Sequence, residues 1–152
     1  MGLFKNFFVA GMVFLSASTS TMAQEHGTKE EAVALAQAAI AYYKKNGLEK
    51  TLVEVNGKSD KFRYKDLYVF IADLDGTMLA HGDNARIVGK SMALLKDADG
   101  NPFAFELLKI VQAGSKGWAN YKWPNPVTKG VDDKTTYVES YDKLGFAVGI
   151  YK

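Results

Sequence analysis

The chain has 152 residues with 19 basic and 17 acidic side chains, a net charge of +2, two histidines and no cysteine. This nearly balanced charge gives no reason to expect nucleic acid or an anionic membrane surface as a partner. Without cysteine the chain has no disulfide, no thiol chemistry and no lipid-modified cysteine. With only two histidines, we expect no metal ion and no cofactor.

Residues 1–23 have the pattern of a secretory signal peptide. Lys5 is the positive start, residues 7–15 are the apolar core, and residues 21–23 (Thr-Met-Ala) fit a small-x-small cleavage site. We therefore expect a periplasmic or secreted protein with one domain over residues 24–152. Removal of Lys5 leaves 18 basic (19 − 1) and 17 acidic residues. The apolar core of about ten residues is short for a bilayer span. The alternative is an uncleaved N-terminal anchor with the domain facing the periplasm.

The predicted elements follow the order helix, hairpin, helix-bearing loop and antiparallel strands. Residues 28–31 (Thr-Lys-Glu-Glu) form a capping box, which predicts a helix that ends at residues 46–47 (Asn-Gly). Residues 75–76 (Asp-Gly) favour a tight hairpin turn, and a second helix follows Pro102. Strands are predicted at residues 67–72, 78–81, 118–123, 135–141 and 145–151. This order predicts an α+β domain with one curved antiparallel sheet.

The motif Asp73-Leu-Asp75-Gly-Thr77 has two interpretations. It matches the opening motif of the haloacid-dehalogenase phosphatases, with Asp73 as nucleophile and Asp75 as acid or base. That fold needs parallel strands joined by crossovers of about a dozen or more residues, but the 79 residues after Asp73 (152 − 73) contain one convincing helix. Residues 132–133 (Asp-Asp), which could imitate the acidic pair of that family, lie in a turn-like stretch. We therefore favour a hairpin turn capped by Asp73.

Aromatic residues recur on the strands of the second half of the chain. Strand alternation puts Tyr121 and Trp123 on one face and Trp118 on the other, and Tyr137 lies on a strand that can pair with theirs. Aromatic walls with a few polar donors on a concave sheet form a pocket for a small ligand.

Several motifs together resemble a single Cache domain, a PAS-like extracytoplasmic sensor module of chemoreceptors and sensor kinases. The resemblance covers about residues 28–151, and it is carried by Asp-Leu-Tyr-Val-Phe at 66–70, Asp-Leu-Asp-Gly at 73–76, Leu-Ala-His at 79–81, Val-Gly-Lys at 88–90, Asp-Ala-Asp-Gly-Asn-Pro at 97–102, Gly-Trp-x-x-Tyr-x-Trp-Pro-x-Pro at 117–126 and Lys-x-x-Tyr-Val at 134–138. It implies a PAS-like curved antiparallel sheet, a long N-terminal helix and a helix-bearing loop that covers the pocket.

The resemblance also implies a function without catalysis. Its ligands are small organic molecules, often short monocarboxylates such as acetate, propionate, lactate or pyruvate. The chain ends at Lys152 without a second apolar segment or an output domain, so we expect a free-standing exported form that works with a membrane sensor or transporter. Homodimerisation through the first helix follows by analogy. An interaction subunit that binds a membrane signalling partner without its own ligand is a further alternative.

Within this family pattern, Lys134 is the predicted partner of a ligand carboxylate, because a charge-assisted hydrogen bond is worth roughly 1.5–3 kcal/mol. Tyr121, Trp123 and Tyr137 are expected to wall the pocket. His81 ends a strand, where a neutral imidazole can donate to a ligand oxygen. The remaining candidates are Arg86, in a glycine-punctuated segment that can cover the pocket, and Tyr68, on the first hairpin strand. For each of these residues an ordinary structural role is the alternative.

Overall fold

The computed structural model describes residues 25–152, so the predicted signal peptide lies outside the described residues. The described part is an α+β domain with helices α1 (Lys29–Asn46), α2 (Leu48–Asn56) and α3 (Ala104–Gln112) and strands β1 (Arg63–Tyr64), β2 (Leu67–Asp73), β3 (Met78–His81), β4 (Lys116–Pro124), β5 (Val131–Tyr141) and β6 (Leu144–Tyr151). This confirms the predicted fold class. None of the helices found within residues 25–152 combines the length and apolarity that a bilayer span requires.

The strands form one antiparallel sheet in the order β1-β2-β6-β5-β4, and β3 pairs with a second stretch of β2. Among the described residues no two strands run parallel, so the sheet is not that of a haloacid-dehalogenase phosphatase. Strand β5 begins at Val131, four residues before its predicted start, and its register pairs Asp132 with Trp123 and Asp133 with Lys122. The prediction of a turn at residues 132–133 is therefore wrong.

The turn between β2 and β3 is organised by Asp73. Its Oδ1 atom accepts hydrogen bonds from the backbone N–H groups of Asp75 (3.0 Å) and Thr77 (2.8 Å). Gly76 has a φ of +81°, a conformation that glycine adopts without steric cost. The interpretation of Asp73 as a turn cap is confirmed.

Helix α1 covers one face of the sheet. The capping box predicted for its start is present, with reciprocal hydrogen bonds between Thr28 and Glu31. A second anchor lies just before it, where the buried Asp66 carboxylate accepts from the Gly27 N–H at 2.7 Å. The buried side of α1 consists of Ala32, Ala36, Ala39 and Ile40, which pack mainly on β5 and β6.

The opposite face of the sheet is where the candidate site lies. Alternation along β2 directs Val69 and Ile71 towards the α1 side and Tyr68 and Phe70 towards the other side. The second side is covered by α3 and by residues 82–103, which we call the covering segment. Two of its parts are short 3₁₀ turns, at Ala85–Ile87 and Met92–Leu94.

Replacing Asp73 by alanine should destabilise the domain by about 1–2 kcal/mol, because two backbone N–H groups of the turn lose their acceptor. Urea denaturation of Asp73→Ala and of the parent protein measures this difference. Asp75→Ala is the matched control, since the exposed Asp75 carboxylate accepts no hydrogen bond within residues 25–152. Equal losses in both variants would contradict the assigned role of Asp73.

Candidate functional site

Lys134 is a fully buried lysine in the middle of an aromatic cluster. Its side chain is 1% exposed, and its Nζ donates to the Tyr68 hydroxyl at 2.6 Å. Nζ also lies 4.2 Å from the centre of the Tyr68 ring and 4.8 Å from that of Tyr151, a cation–π arrangement. Among residues 25–152 no carboxylate forms an ion pair with it. A buried ammonium without an anionic partner is costly, and it is an available site for an anion.

The environment of Lys134 changes its acid–base behaviour. Burial lowers the pKa of its ammonium group from 10.5 to about 7, and the charges of Asp83 and Asp66 oppose this decrease. Burial therefore makes the charged form of this lysine much less favourable than that of an exposed lysine. An anion placed beside Nζ would favour the charged form and raise this pKa again.

A chain of hydrogen bonds through Tyr68 and Tyr151 holds Lys134 in place. The last acceptor of the chain determines which group donates in each bond. The Tyr151 hydroxyl donates to the Pro124 carbonyl at 2.9 Å, because a carbonyl oxygen can only accept. The Tyr68 hydroxyl, 3.1 Å from that of Tyr151, therefore donates to it and accepts from Lys134. Both phenol hydrogens thus have acceptors within the protein. Burial raises the pKa of both phenols, so they remain protonated.

His81 is held as a neutral imidazole of defined tautomer. Its Nδ1 accepts from the backbone N–H groups of Asp83 (3.2 Å) and Asn84 (2.8 Å), so the ring proton is on Nε2. Burial, together with the smaller effect of the nearby charge of Lys134, lowers the pKa of His81 to about 3. The ring stacks on Phe70 with centroids 5.6 Å apart. His81 can therefore donate one hydrogen bond from Nε2 at all physiological pH values.

Aromatic rings from two elements form the other wall of the site. Phe103, from the covering segment, stacks on Tyr121 of β4 at 4.1 Å and meets Trp123 edge-on at 5.2 Å. The Tyr121 hydroxyl is hydrogen-bonded to Thr136 Oγ1 at 2.8 Å. The alternation predicted for β4 is confirmed, since Trp118 packs on the α1 side of the sheet.

These walls enclose a cavity of about 10 Å³, which is room for one water molecule. The cavity is lined by Lys134, His81, Phe70, Met78, Ile87, Met92, Leu95, Phe103, Tyr121 and Trp123. Four of these residues, Ile87, Met92, Leu95 and Phe103, belong to the covering segment. A ligand of several heavy atoms therefore requires side chains of this segment to move.

The structure brings together Lys134, Tyr68, His81, Tyr121 and Trp123 from the predicted set. Two other candidates are placed elsewhere. The first of them, Tyr137, lies on the α1 face of the sheet. It is three positions from Lys134 along β5, so the two side chains point to opposite faces. Its hydroxyl donates to Glu139 at 2.6 Å. Arg86 is exposed in the 3₁₀ turn at Ala85–Ile87, and its side chain makes no hydrogen bond or ion pair within the described residues.

Sequence reasoning missed Phe70, Tyr151 and Gly149. Phe70 follows Tyr68 by two positions, so strand alternation alone could have placed it on the same face. Tyr151 lies directly across from Lys134 in the pairing of β5 with β6, and no pattern in the sequence indicates this register.

Gly149 provides the space for the lysine side chain. A Cβ atom at this position would lie 2.0 Å from Lys134 Cε and 2.5 Å from Thr136 Oγ1. Gly149 lies opposite Thr136 in the sheet, and the absence of a side chain at Gly149 leaves the space that the Lys134 side chain occupies.

Gly149→Ala should push the Lys134 side chain out of its position and destabilise the fold by about 1–3 kcal/mol, as overpacked cores do. Chemical denaturation measures the loss, and a shift of the Lys134 Nζ signal in NMR spectra reports the displacement. Gly130→Ala is the control, because its Cβ would meet no atom closer than 3.5 Å. A Gly149→Ala variant with unchanged stability and an unchanged Lys134 signal would contradict this role.

The stability of the protein should rise with pH between about 7 and 10.5, because the folded form binds fewer protons at Lys134 than the unfolded form there. Below pH 7 the buried charge lowers the free energy of unfolding by its full amount. We expect Lys134→Met to lose the pH dependence that this charge causes and to be more stable than the parent protein at pH 6. Urea denaturation at pH 6 and pH 9 tests this, with the exposed Lys50→Met as control. An identical pH dependence in both variants would contradict it.

Comparison with known proteins identifies relatives of the chain. The sequence profile of the family Single Cache domain 2 matches residues 5–151. The sensor histidine kinase MctS of Rhizobium johnstonii is 36% identical over 85 residues, which are 56% of this chain and 18% of the kinase. The methyl-accepting chemotaxis protein McpP of Pseudomonas putida is 27% identical over 84 residues, 55% of this chain and 15% of the receptor. The matched part of the chain thus spans less than a fifth of either relative.

Solved structures share the fold. A methyl-accepting chemotaxis protein from Vibrio parahaemolyticus superposes with a TM-score of 0.67 and 20% identity, covering 81% of this chain and 87% of that one. A Cache chemosensory domain studied for its recognition of carboxylic acids has a TM-score of 0.65 and 23% identity, covering 80% and 91%. At these identities the likeness establishes the architecture. The profile match over residues 5–151 shows that the chain belongs to the Single Cache domain 2 family of extracytoplasmic sensor domains.

Proposed function

We propose that this domain binds a short monocarboxylate in the periplasm, without catalysis, and that Lys134 is the ion-pair partner of the ligand. The observation that carries the proposal is the buried Lys134 ammonium, which has no carboxylate partner among the described residues. A carboxylate would supply the missing negative charge. The relationship to a Cache domain that recognises carboxylic acids supports this choice of anion.

The two donors of the site suit the two oxygens of one carboxylate. Two N–H bonds of Lys134 Nζ are not used by Tyr68, and His81 offers its Nε2–H. Both residues line the same cavity, and the rest of its lining is apolar or aromatic. Tyr121, Trp123 and Phe103 would then pack against the carbon atoms of the ligand.

Access to the site requires the covering segment to open, and one half of that segment is weakly held. Backbone hydrogen bonds join Gly89 and Lys90 to Met78, and Met92 to Gly76. Beyond these, the backbone–backbone hydrogen bonds of residues 93–103 outside helix α3 join them, within the described part of the chain, only to one another and to residues 91–92. Their ion pair with the remainder of the described domain, Asp99–Lys122 at 3.1 Å, is partly exposed and contributes little. We expect ligands to enter beneath this half, by displacement of Leu95 and Phe103.

The small size of the ligand limits the affinity that it can reach. A molecule of about four to six heavy atoms gains at most about 1.5 kcal/mol per atom, or about 6–9 kcal/mol in total. This corresponds to dissociation constants from tens of micromolar to below one micromolar. Such a range suits the sensing of an abundant metabolite, with a membrane sensor or transporter as the downstream partner. The membrane kinase and the chemotaxis receptor among the relatives support a signalling partner.

A screen of acetate, propionate, lactate and pyruvate by thermal shift tests the proposal. At a concentration of about 100 times the dissociation constant, a ligand adds about 2.7 kcal/mol of stability and raises the melting temperature by several degrees. We expect Lys134→Met to remain folded and to lose this response, and Lys50→Met to keep it. Binding that survives in Lys134→Met would show that the lysine is not the partner of the ligand.

The second candidate is a Cache subunit that docks on a membrane signalling partner without a ligand of its own. The observation that favours it is the cavity volume of about 10 Å³, which is too small for a carboxylate unless side chains move. A response to none of the four acids at millimolar concentration would favour this candidate. In that case a crosslinking or pull-down experiment should detect the partner equally well with the parent protein and with Lys134→Met.

A further inference from the structure

We propose that the N-terminus of the mature protein, Gln24-Glu25-His26, binds a copper(II) ion. The site is separate from the cavity around Lys134 and does not depend on the proposed function. It requires removal of residues 1–23 as a signal peptide, since the first residue of the motif has to carry a free α-amine. The ligands are that amine, the backbone nitrogens of Glu25 and His26, and Nδ1 of the His26 imidazole.

The order of these residues suits the preference of copper(II) for nitrogen ligands in a square plane. Neighbouring backbone nitrogens close one chelate ring after another around the ion, and the side chain of a histidine at the third position closes the last ring. The backbone N–H groups have to lose their protons to the solvent when the ion binds, so binding strengthens as the pH rises. Zinc prefers a tetrahedral arrangement, and nickel binds nitrogen ligands more weakly than copper, so copper(II) is the ion that fits best.

The side chains alone indicate no metal site. The chain has two histidines and no cysteine, and within residues 25–152 no group of three or more histidine or acidic side chains could hold an ion. The proposed site is different in kind, because all but one of its ligands belong to the main chain. It therefore depends on where the mature chain begins, and not on a cluster of side chains.

The hydrogen bonds at the start of the described chain leave the backbone ligands available. Within residues 25–152, the N–H groups of Glu25 and His26 donate to no other residue, whereas those of Gly27 and Thr28 donate to carboxylates at 2.7 Å and 2.8 Å. The His26 side chain is 43% exposed. The fixed part of the backbone thus starts immediately after the last residue of the motif, so copper binding breaks no backbone hydrogen bond of helix α1.

One ligand atom has a partner that copper would replace. Nδ1 of His26 lies 2.7 Å from Oδ2 of Asp66, and it is the donor because a carboxylate only accepts. Asp66 is 1% exposed and lies between β1 and β2. The ion takes the position of the Nδ1 hydrogen, so the ring has to leave Asp66, whose other oxygen keeps the Gly27 N–H. Copper binding therefore removes one of the two hydrogen bonds that Asp66 accepts from the segment before α1.

Protein exported to the periplasm and purified from it tests the proposal, after mass spectrometry has identified its first residue. One equivalent of copper(II) should produce the visible absorption band of square-planar copper with nitrogen ligands, and an excess of zinc should not remove it. His26→Ala should lack the band. Absence of the band in the exported protein would overturn the proposal, whether the chain starts at another residue or the Gln24 amine has closed onto its own side chain with loss of ammonia.

The same chain made in the cytoplasm with a methionine before Gln24 is the matched control. It has every side chain of the exported protein, but His26 is then the fourth residue, so the band should be absent. An equal band in both proteins would show that side chains, and not the N-terminus, bind the ion, and this result would also overturn the proposal.

Thermal unfolding with one equivalent of copper(II) tests the exchange at Asp66. The ligands are neighbours in the sequence, so the unfolded chain binds the ion as well, and only the folded chain has to break the His26–Asp66 bond. The melting temperature of the exported protein should therefore fall slightly, while that of the methionine-extended protein stays unchanged. A melting temperature of the exported protein that does not fall would overturn the competition between copper and Asp66.

Discussion

The burial of Lys134 without a carboxylate partner among residues 25–152 is the constraint on which the rest of the site depends. An ammonium group in an apolar interior needs hydrogen bonds and polarisable neighbours, and here a phenol oxygen and aromatic ring faces supply them. The absence of a side chain at Gly149 makes room for its aliphatic stem. The neutral state of His81 follows in part from the same charge, which opposes a second cation nearby. The hydrogen bond to Tyr68, the space at Gly149 and the neutral state of His81 are thus all connected with the same buried lysine, although these residues come from four different strands.

The two faces of the sheet have different roles in the domain. The α1 face is a core of small, aliphatic and aromatic residues that resembles the interior of any stable α+β domain. The other face carries Lys134 and His81, and it is closed by the covering segment, whose first half is hydrogen-bonded to β2 and β3 and whose second half, residues 93–103, makes no backbone–backbone hydrogen bond to a strand within residues 25–152. Such a division lets the covering segment rearrange while the helix-bearing core keeps its packing.

Much of the fold could be predicted from the sequence because its determinants are local. The capping box at residues 28–31, the Asp73 turn and the alternation along β4 each act over a few residues, and the structure has all three. The site could be predicted in part. Strand alternation predicts Tyr121 and Trp123 on one face, and Lys134 follows from the family pattern, whereas Tyr137 lies on the α1 face because an odd number of positions separates it from Lys134 along β5. The position of Tyr151 depends on the pairing of β5 with β6, a long-range property that local patterns do not encode.

The buried lysine also has a consequence for how much of the protein persists outside the cytoplasm. A compound that binds the folded form alone shifts the folding equilibrium by mass action, and the resulting change in the population of unfolded molecules is largest where the unliganded domain is least stable. Proteases of the cell envelope degrade chains that open, so turnover follows the population of open molecules. With Lys134 as the binding group of the proposed function, the domain would then be protected when the metabolite is plentiful and degraded when it is scarce. Its abundance, and not only its conformation, would record the recent supply of that metabolite.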